Sequence, residues 1–171
     1  MKNYFFKITG KTIDGHDVTL DGYKVVAHAS YYCDNREIKE VFFNSGQMVS
    51  MIEDDDLQSK FVESMQVDKS TIEKPSQSNL VDYETINGHY GLFDSNAVEF
   101  LIIHKNNGKE YVELHFLSGT SFTVLADLLG TGVDIKIDDV DNLVNDYLYW
   151  KQKVGRNHST TYLSVESETR P

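Results

Sequence analysis

Four glycine-containing dipeptides divide this chain into short segments, and they constrain its fold more than any other feature. Asp14-Gly15, Asp21-Gly22, Asn87-Gly88 and Asn107-Gly108 each lie between stretches rich in apolar and aromatic residues. Dipeptides of this kind favour tight hairpin turns, because both residues tolerate a positive φ. We therefore expect an α+β fold with a mostly antiparallel, hairpin-rich, twisted sheet of about seven to ten strands, either continuous or split in two.

The segments between these turns alternate in polarity as strands do. Residues 3–11 and the run from Tyr23 to Tyr32 predict strands, so the opening third of the chain is expected to be a β-meander. Residues 36–43 and 47–52 predict a further hairpin, and the alternative is a helix that begins with Met48, Val49, Met51 and Ile52. The period of two in the second run indicates a strand with one buried face. The apolar positions of that face are Tyr23, Val25, Ala27, Ala29 and Tyr31.

Two helices are predicted to pack against the sheet. The first covers residues 54–65 and begins with the carboxylates of Asp54 to Asp56, which suit a helix N-terminus. The second is a C-terminal helix that Asp138 or Asp139 can cap and that ends near Gly155. The apolar stripe of the first comprises Leu57, Phe61 and Met65, and that of the second comprises Val140, Leu143, Val144, Tyr147 and Leu148, widened by Trp150 and Val154.

The length of 171 residues suits one domain with its own hydrophobic core. We expect a single α+β domain over residues 1–155, followed by a polar C-terminal tail at 156–171. Residues 67–79 are polar and contain Pro75, so they form the one internal sub-boundary that the sequence suggests. No internal repeat is predicted.

The charge balance limits the class of partner. Sixteen Lys and Arg residues against 27 Asp and Glu residues give a net charge of -11. A protein that binds nucleic acid through its phosphates needs a basic surface, so direct nucleic-acid binding is not expected. An acidic protein instead suits a partner protein with a basic or nucleic-acid-binding face, because complementary fields speed and orient association.

The sequence also favours a compartment and an origin. Cys33 is the single cysteine, so no internal disulfide forms and a cytoplasmic location is expected; Cys33 itself is predicted to be a small buried residue. The longest apolar runs are too short to cross a bilayer, and the N-terminus has no signal-peptide pattern. Lysine, asparagine, tyrosine and isoleucine are plentiful while alanine and proline are scarce, which favours a phage or a low-GC bacterium as the source.

The most distinct hairpin, residues 99–116, carries His104 and His115. A two-residue turn at Asn107-Gly108 pairs His104 with Tyr111 and leaves the two histidines on one face, roughly 13 Å apart along the ladder. Each ligand of a zinc ion lies about 2 Å from the metal, so this pair alone cannot bind one. A three-residue turn would instead put the histidines on opposite faces.

The two-residue turn also predicts which residues of this hairpin are buried. One face forms the core, and the other is mixed and expected to be covered by the C-terminal helix or by a partner. The core face comprises Leu101, Ile103, Val112, Leu114 and Phe116, and the mixed face comprises Phe100, Ile102, His104, Tyr111, Glu113 and His115.

Two clusters of residues suggest chemistry, and each has a plainer interpretation. His28-Ala29-Ser30 and His158-Ser159-Thr160 fit the His-x-Ser/Thr pattern of two-histidine phosphoesterases, but chance alone yields about one such match. The carboxylates at 53–56 and 134–141 resemble metal ligands, yet both groups precede predicted helices, where acids stabilise the helix dipole. We therefore expect no metal site and no cofactor.

These observations favour a small acidic protein-binding module that inhibits or neutralises a partner, as a phage-encoded inhibitor of host defence or an immunity-type protein does. The alternative is a phage structural or assembly accessory protein that forms a homo-oligomer. The third hypothesis is a nucleotide-binding or phosphoesterase protein that uses His28 and His158, although an enzyme is not favoured. The predicted partner contacts are Glu53, Asp54, Asp55, Asp56, Asp138, Asp139, Asp141, Tyr111 and Glu113.

Overall fold

A computed structural model describes residues 4–74, 79–131 and 142–157, with side chains described as far as Gln152. The α+β prediction is confirmed, because ten antiparallel strands and two α-helices form the described chain. A last strand that the sequence predicts over residues 133–138 lies outside the described residues, as do Asp139, Asp141 and His158, and so does Asp138. No helix in the described ranges has the length and apolar character needed to cross a membrane.

The elements follow one another in short steps. The first five strands are β1 (Lys7–Lys11), β2 (Asp17–Asp21), β3 (Val25–Cys33), β4 (Arg36–Phe43) and β5 (Met48–Ile52), and helix α1 (Asp55–Gln66) follows them. The next five are β6 (Leu80–Glu84), β7 (Tyr90–Asp94), β8 (Val98–Asn106), β9 (Lys109–Phe116) and β10 (Ser121–Leu125), and the chain then reaches helix α2 (Leu143–Asn157). Short 3-10 helices occupy Gly22–Lys24, Lys69–Thr71, Ser95–Ala97 and Ala126–Leu128.

The strands form three sheets rather than one or two. Their orders are β1-β2-β8-β9-β10, β3-β4-β5 and β6-β7. A single bridge from Thr12 to Met51 links β1 to β5, and a single bridge from Thr85 to Val124 links β6 to β10. Followed through these bridges, the strands run in the order β3-β4-β5-β1-β2-β8-β9-β10-β6-β7, so β3 and β7 lie at the two ends.

The second half of the chain repeats the first. Each strand from β6 to β10 begins and ends 73 residues after its counterpart among β1 to β5, as from Lys7 to Leu80. Both β3 and β8 have a bulge at their start, between Val25 and Ala27 and between Val98 and Phe100. We call residues 7–66 the first unit and residues 80–157 the second unit.

Local contacts repeat with the same spacing. The Oγ1 atoms of Thr12 and Thr85 accept hydrogen bonds from the backbone N–H groups of His16 and His89, both at 3.1 Å. The expectation of no internal repeat was therefore wrong. Eleven residues of residues 7–52 recur unchanged 73 positions later: Thr12, Ile13, Gly15, His16, Asp21, Val25, Glu37, Glu40, Phe43, Ser45 and Gly46.

The opening third is not the predicted meander. The Asp21-Gly22 dipeptide does not form a hairpin turn, because the Asp21 carboxylate accepts the backbone N–H of Tyr23 at 3.0 Å and caps a 3-10 helix. That helix moves the chain into another sheet, so β2 pairs with β8 and not with β3. A cap and a hairpin turn use the same residue types, which explains the error.

Each unit has its own hydrophobic core. In the second unit the predicted residues Leu143, Val144, Tyr147 and Leu148 of α2 belong to one buried cluster with residues of β8 to β10, while Trp150 is 52% exposed. In the first unit Leu57 and Phe61 of α1 are buried as predicted, but Ser64 replaces Met65 in the buried stripe. The first core also includes one residue of the second unit, Phe100.

Candidate interaction edges and polar clusters

The two units meet where β2 pairs with β8, and we call this pairing the inner joint. It runs from Asp17 opposite Ile103 to Leu20 opposite Phe100. Phe100 is buried and stacks on Phe43 of the first unit at 4.8 Å between ring centroids. Backbone pairing and apolar packing therefore act together at this joint.

Polar contacts surround the inner joint. The Lys24 ammonium donates to the carbonyl oxygens of Asn96 and Val98, at 3.1 and 2.9 Å. The carboxylate of Glu99, which is fully buried, accepts from Ser45 Oγ at 2.6 Å. These bonds link the units through one fully buried carboxylate and one partly exposed ammonium group.

The outer edge of β3 has no strand beside it in the described structure. β3 is the counterpart of β8, whose outer edge β2 covers. The segment from Val26 to Cys33 contains no charged residue and no proline, although these are the residues that proteins use to protect sheet edges. Val26 is 52% exposed, Tyr31 40% and Tyr32 76%. We call residues 27–32 the β3 edge.

The apolar face predicted for this strand is therefore largely uncovered. Val25 is buried, but Ala27, Ala29 and Tyr31 are exposed, whereas their counterparts in β8 include the buried Phe100. Cys33 is exposed as well, contrary to the expectation that it is buried. This alternation of polarity is typical of a strand with one buried face, but no part of the described chain packs over that face of β3 beyond Val25.

The hairpin geometry shows which amides of β3 face outward. The two-residue turn at Asp34 and Asn35, both with positive φ, makes Cys33 and Arg36 a hydrogen-bonded pair. Hydrogen-bonded and non-hydrogen-bonded pairs alternate from there, so His28 and Ser30 direct their backbone groups away from β4. Their counterparts in β8 are the residues that pair with β2.

Among the described strands β7, the counterpart of β2, is the second with an unpaired outer edge. Tyr90 is 80% exposed and Leu92 is 58% exposed. The equivalent residues of β2, Asp17 and Thr19, are half-buried at the inner joint. We call residues 90–93 the β7 edge.

The two-residue turn predicted at Asn107-Gly108 is confirmed, with His104 opposite Tyr111 and Phe100 opposite His115. The histidines share a face and do not meet, but both approach Glu113 between them. His115 Nε2 lies 2.8 Å and His104 Nε2 lies 3.9 Å from the Glu113 carboxylate. The hydrogen bond from His115 holds the pKa of Glu113 below its usual value against the opposing effect of burial.

His104, but not His115, lines an open cavity of about 540 Å³ between the turns of the two units. The His16 and His104 rings lie 4.2 Å apart at its wall. The predicted contacts Tyr111 and Glu113 are both half-buried there. The cavity is lined by His16, Ile86, His104, Lys105, Asn106, Tyr111, Glu113 and Thr123.

The mixed face of the hairpin is covered by the first unit at its Phe100 end, where Phe100 belongs to the first core and the partly buried Ile102 packs against that core. The C-terminal helix, which the sequence offered as a cover, packs on the opposite face. The predicted core face is correct, because Leu101, Val112 and Leu114 all belong to the second core.

A buried polar cluster lies beneath α1. Lys39 is fully buried, and its ammonium lies 2.7 Å from the Glu53 carboxylate and 2.7 Å from Gln58 Oε1. It also contacts Ser30 Oγ at 3.0 Å and His28 Nδ1 at 3.1 Å. Burial raises the pKa of Glu53, but the hydrogen bonds from Lys39 and Ser30 outweigh it and keep the pKa below its usual value.

The second unit has an apolar core at the same positions. Lys39 corresponds to Val112, Glu53 to Ala126, His28 to Leu101 and Ser30 to Ile103. The fold therefore accommodates either set, and the polar cluster is a property of the first unit alone. An alignment of the two halves at a spacing of 73 residues identifies Lys39 from the sequence alone, because it places this lysine at the position of Val112.

The predicted acidic contact residues differ in exposure and in their hydrogen-bond partners. The side chain of Glu53 is only 6% exposed, in its pair with Lys39. Asp54 caps α1, since its carboxylate accepts the backbone N–H of Leu57 at 2.7 Å. Asp55 and Asp56 are exposed. Within the described ranges, no group of three or more His, Cys, Asp or Glu side chains is placed to hold a metal ion.

Comparison with known proteins found no match: no protein-family model, no curated protein and no solved structure is similar to this chain.

Replacing Glu53 by Ala should destabilise the fold by about 3–5 kcal/mol, because the buried Lys39 ammonium loses its carboxylate. The double variant Lys39→Val with Glu53→Ala, which copies the second unit, should recover most of that loss. Urea denaturation measures both. A double variant as unstable as Glu53→Ala would show that the cluster does more for the fold than charge pairing.

Stability should fall as the pH drops below about 6.5, the usual pKa of histidine. Burial and the charge of Lys39 lower the pKa of His28 in the folded state, so the unfolded chain binds the proton first and is favoured. His28→Leu, the residue found at position 101, should flatten this dependence. Thermal melts between about pH 5.5 and 7.5 compare the slopes, and equal slopes would contradict the assignment.

Proposed function

We propose that this protein is a protein-binding module that accepts a strand from its partner along the β3 edge. The observation that carries the proposal is the contrast between two equivalent strands. β8 has a covered outer edge, whereas β3 has the same length, bulge and hairpin turn position with no strand beside it in the described structure.

Strand addition suits the chemistry of this edge. The outward amides and carbonyls of His28 and Ser30 offer main-chain hydrogen bonds, which give affinity in such complexes. The exposed side chains of Tyr31 and Tyr32 offer aromatic contact area next to them. The absence of charged residues between Val26 and Cys33 leaves the edge open to pairing.

The role of the binding remains the one that the charge favours: inhibition or neutralisation of a partner protein with a basic face, in the cytoplasm of a low-GC bacterium or of a phage-infected cell. The net charge of -11 and the exposed Asp55 and Asp56 support attraction of such a partner. The phosphoesterase hypothesis is weaker, because the ring of His28 is bonded to Lys39.

The second candidate is a structural or assembly protein, and the free β7 edge favours it. Tyr90 and Leu92 are the exposed counterparts of two residues that the inner joint partly buries. A chain with two unprotected edges can join other copies, as an assembly protein does.

Two substitutions at Ser30 separate the effect of its outward backbone N–H from the effect of its side chain. Ser30→Pro and Ser30→Ala both remove the hydroxyl that contacts Lys39 and Glu53, but only proline also removes the outward N–H. In capture from a low-GC bacterial lysate, Ser30→Ala should retain the wild-type partner and Ser30→Pro should lose it, with a greater yield at low salt. Equal capture by both variants, with similar thermal melts, would refute binding at the β3 edge.

A further inference from the structure

The two edges that have no strand beside them in the described ranges match each other as the two sides of the inner joint do. The inner joint pairs a strand of the β2 type with a strand of the β8 type. At the ends of the strand order stand β7, the repeat of β2, and β3, the repeat of β8. An edge of the β2 type and an edge of the β8 type therefore stand at the two ends, and these are the two types that pair at the inner joint.

The inner joint also fixes how these edges would fit. Shifting Asp17–Leu20 forward by 73 residues gives Tyr90–Phe93, and shifting Phe100–Ile103 back by 73 gives Ala27–Ser30. The resulting antiparallel register places Tyr90 opposite Ser30 and Phe93 opposite Ala27. His28 and Ser30, which direct their backbone groups outward, then pair with Leu92 and Tyr90, as their counterparts pair with Thr19 and Asp17.

We propose that a second copy of this chain covers the β3 edge with its β7 edge, in this register, so that copies join head to tail. The inference rests on the β3 edge of the proposed function and on the second candidate given there, an assembly protein whose partner is another copy of the same chain. Within one chain β3 and β7 are not paired with each other in the described structure, so both edges are available to other copies. A joint between unlike surfaces repeats into a ring or a filament.

The side chains at the two edges suit this contact. Leu92 and Tyr90 expose most of their surface, and they would lie against His28 and Ser30. Neither Ala27–Ser30 nor Tyr90–Phe93 contains a charged residue, so the net negative charge of the chain is not concentrated at the contact. The small side chains of Ala27 and Ala29 leave room for a neighbouring copy where β8 has Phe100 and Ile102.

The turn beside the β7 edge has the geometry that the inner joint uses. Thr85 and His89 form the same backbone and side-chain hydrogen bonds as Thr12 and His16, with Thr85 N donating to His89 O at 2.8 Å. His16 packs against His104 just beyond the inner joint. In the proposed contact His89 would take that place beside Tyr31, which is 40% exposed.

Two variants test the proposal, each with one of the two edges blocked by proline, because their mixture can form only one joint. Ser30→Pro blocks the β3 edge and leaves β7 free, while Leu92→Pro blocks the β7 edge and leaves β3 free. The wild type should grow in mass with concentration in sedimentation or light scattering. Each proline variant alone should remain monomeric to a concentration at least about tenfold higher. Their equimolar mixture should form a 1:1 dimer and no larger species.

Ser30→Ala and Leu92→Ala are the matched controls, and both should assemble as the wild type does. Thermal melts confirm that each proline variant is folded. Assembly of the wild type with no dimer in the mixture would overturn the proposal, because the copies would then meet elsewhere. A monomeric wild type that captures a different protein through the β3 edge would overturn the second copy as occupant and leave the proposed function intact. A monomer that captures nothing would overturn both.

Discussion

The pairing of β2 with β8 is the interaction on which the rest of this structure depends. It joins two units that each consist of a hairpin, a three-stranded meander and a helix, and it inserts Phe100 of the second unit into the core of the first. Without it, each meander would keep an uncovered edge. The joint also buries Glu99, which accepts a hydrogen bond from Ser45, so the units meet through specific polar bonds as well as apolar area.

The same constraint explains what the molecule leaves open. The inner joint covers the outer edge of one strand of the β2 type and one strand of the β8 type. The other strand of each type, β7 and β3, has no strand on its outer edge in the described structure. The β3 edge is long and the β7 edge is apolar. Residues 27–32 and 90–93 contain no charged residue and no proline, so neither edge has the usual protection against pairing. The two edges that we propose as interaction surfaces are thus those that the single joint between two repeated units leaves uncovered in the described structure.

Local features of the sequence predicted local structure well. The turn at Asn107-Gly108 gave the correct register of its hairpin, and the stripe at Leu57 and Phe61 gave the buried face of α1. Partners distant in sequence were not predictable from propensity: the Asp21-Gly22 pair looked like a turn, and nothing local links β2 to β8. The repeat was concealed because its conserved residues lie mostly in turns and caps, while core positions such as Lys39 and Val112 diverged.

Residue-resolved hydrogen exchange at rising protein concentration shows whether β3 and β7 pair between copies. If they do, the outward amides of His28 and Ser30 should gain protection together with those of Tyr90 and Leu92. Protection at the inner joint, at Thr19 and Leu101, should stay high throughout. Unchanged exchange at the β3 and β7 edges while the mass grows, or protection gained only elsewhere, would show that the copies do not meet through these edges.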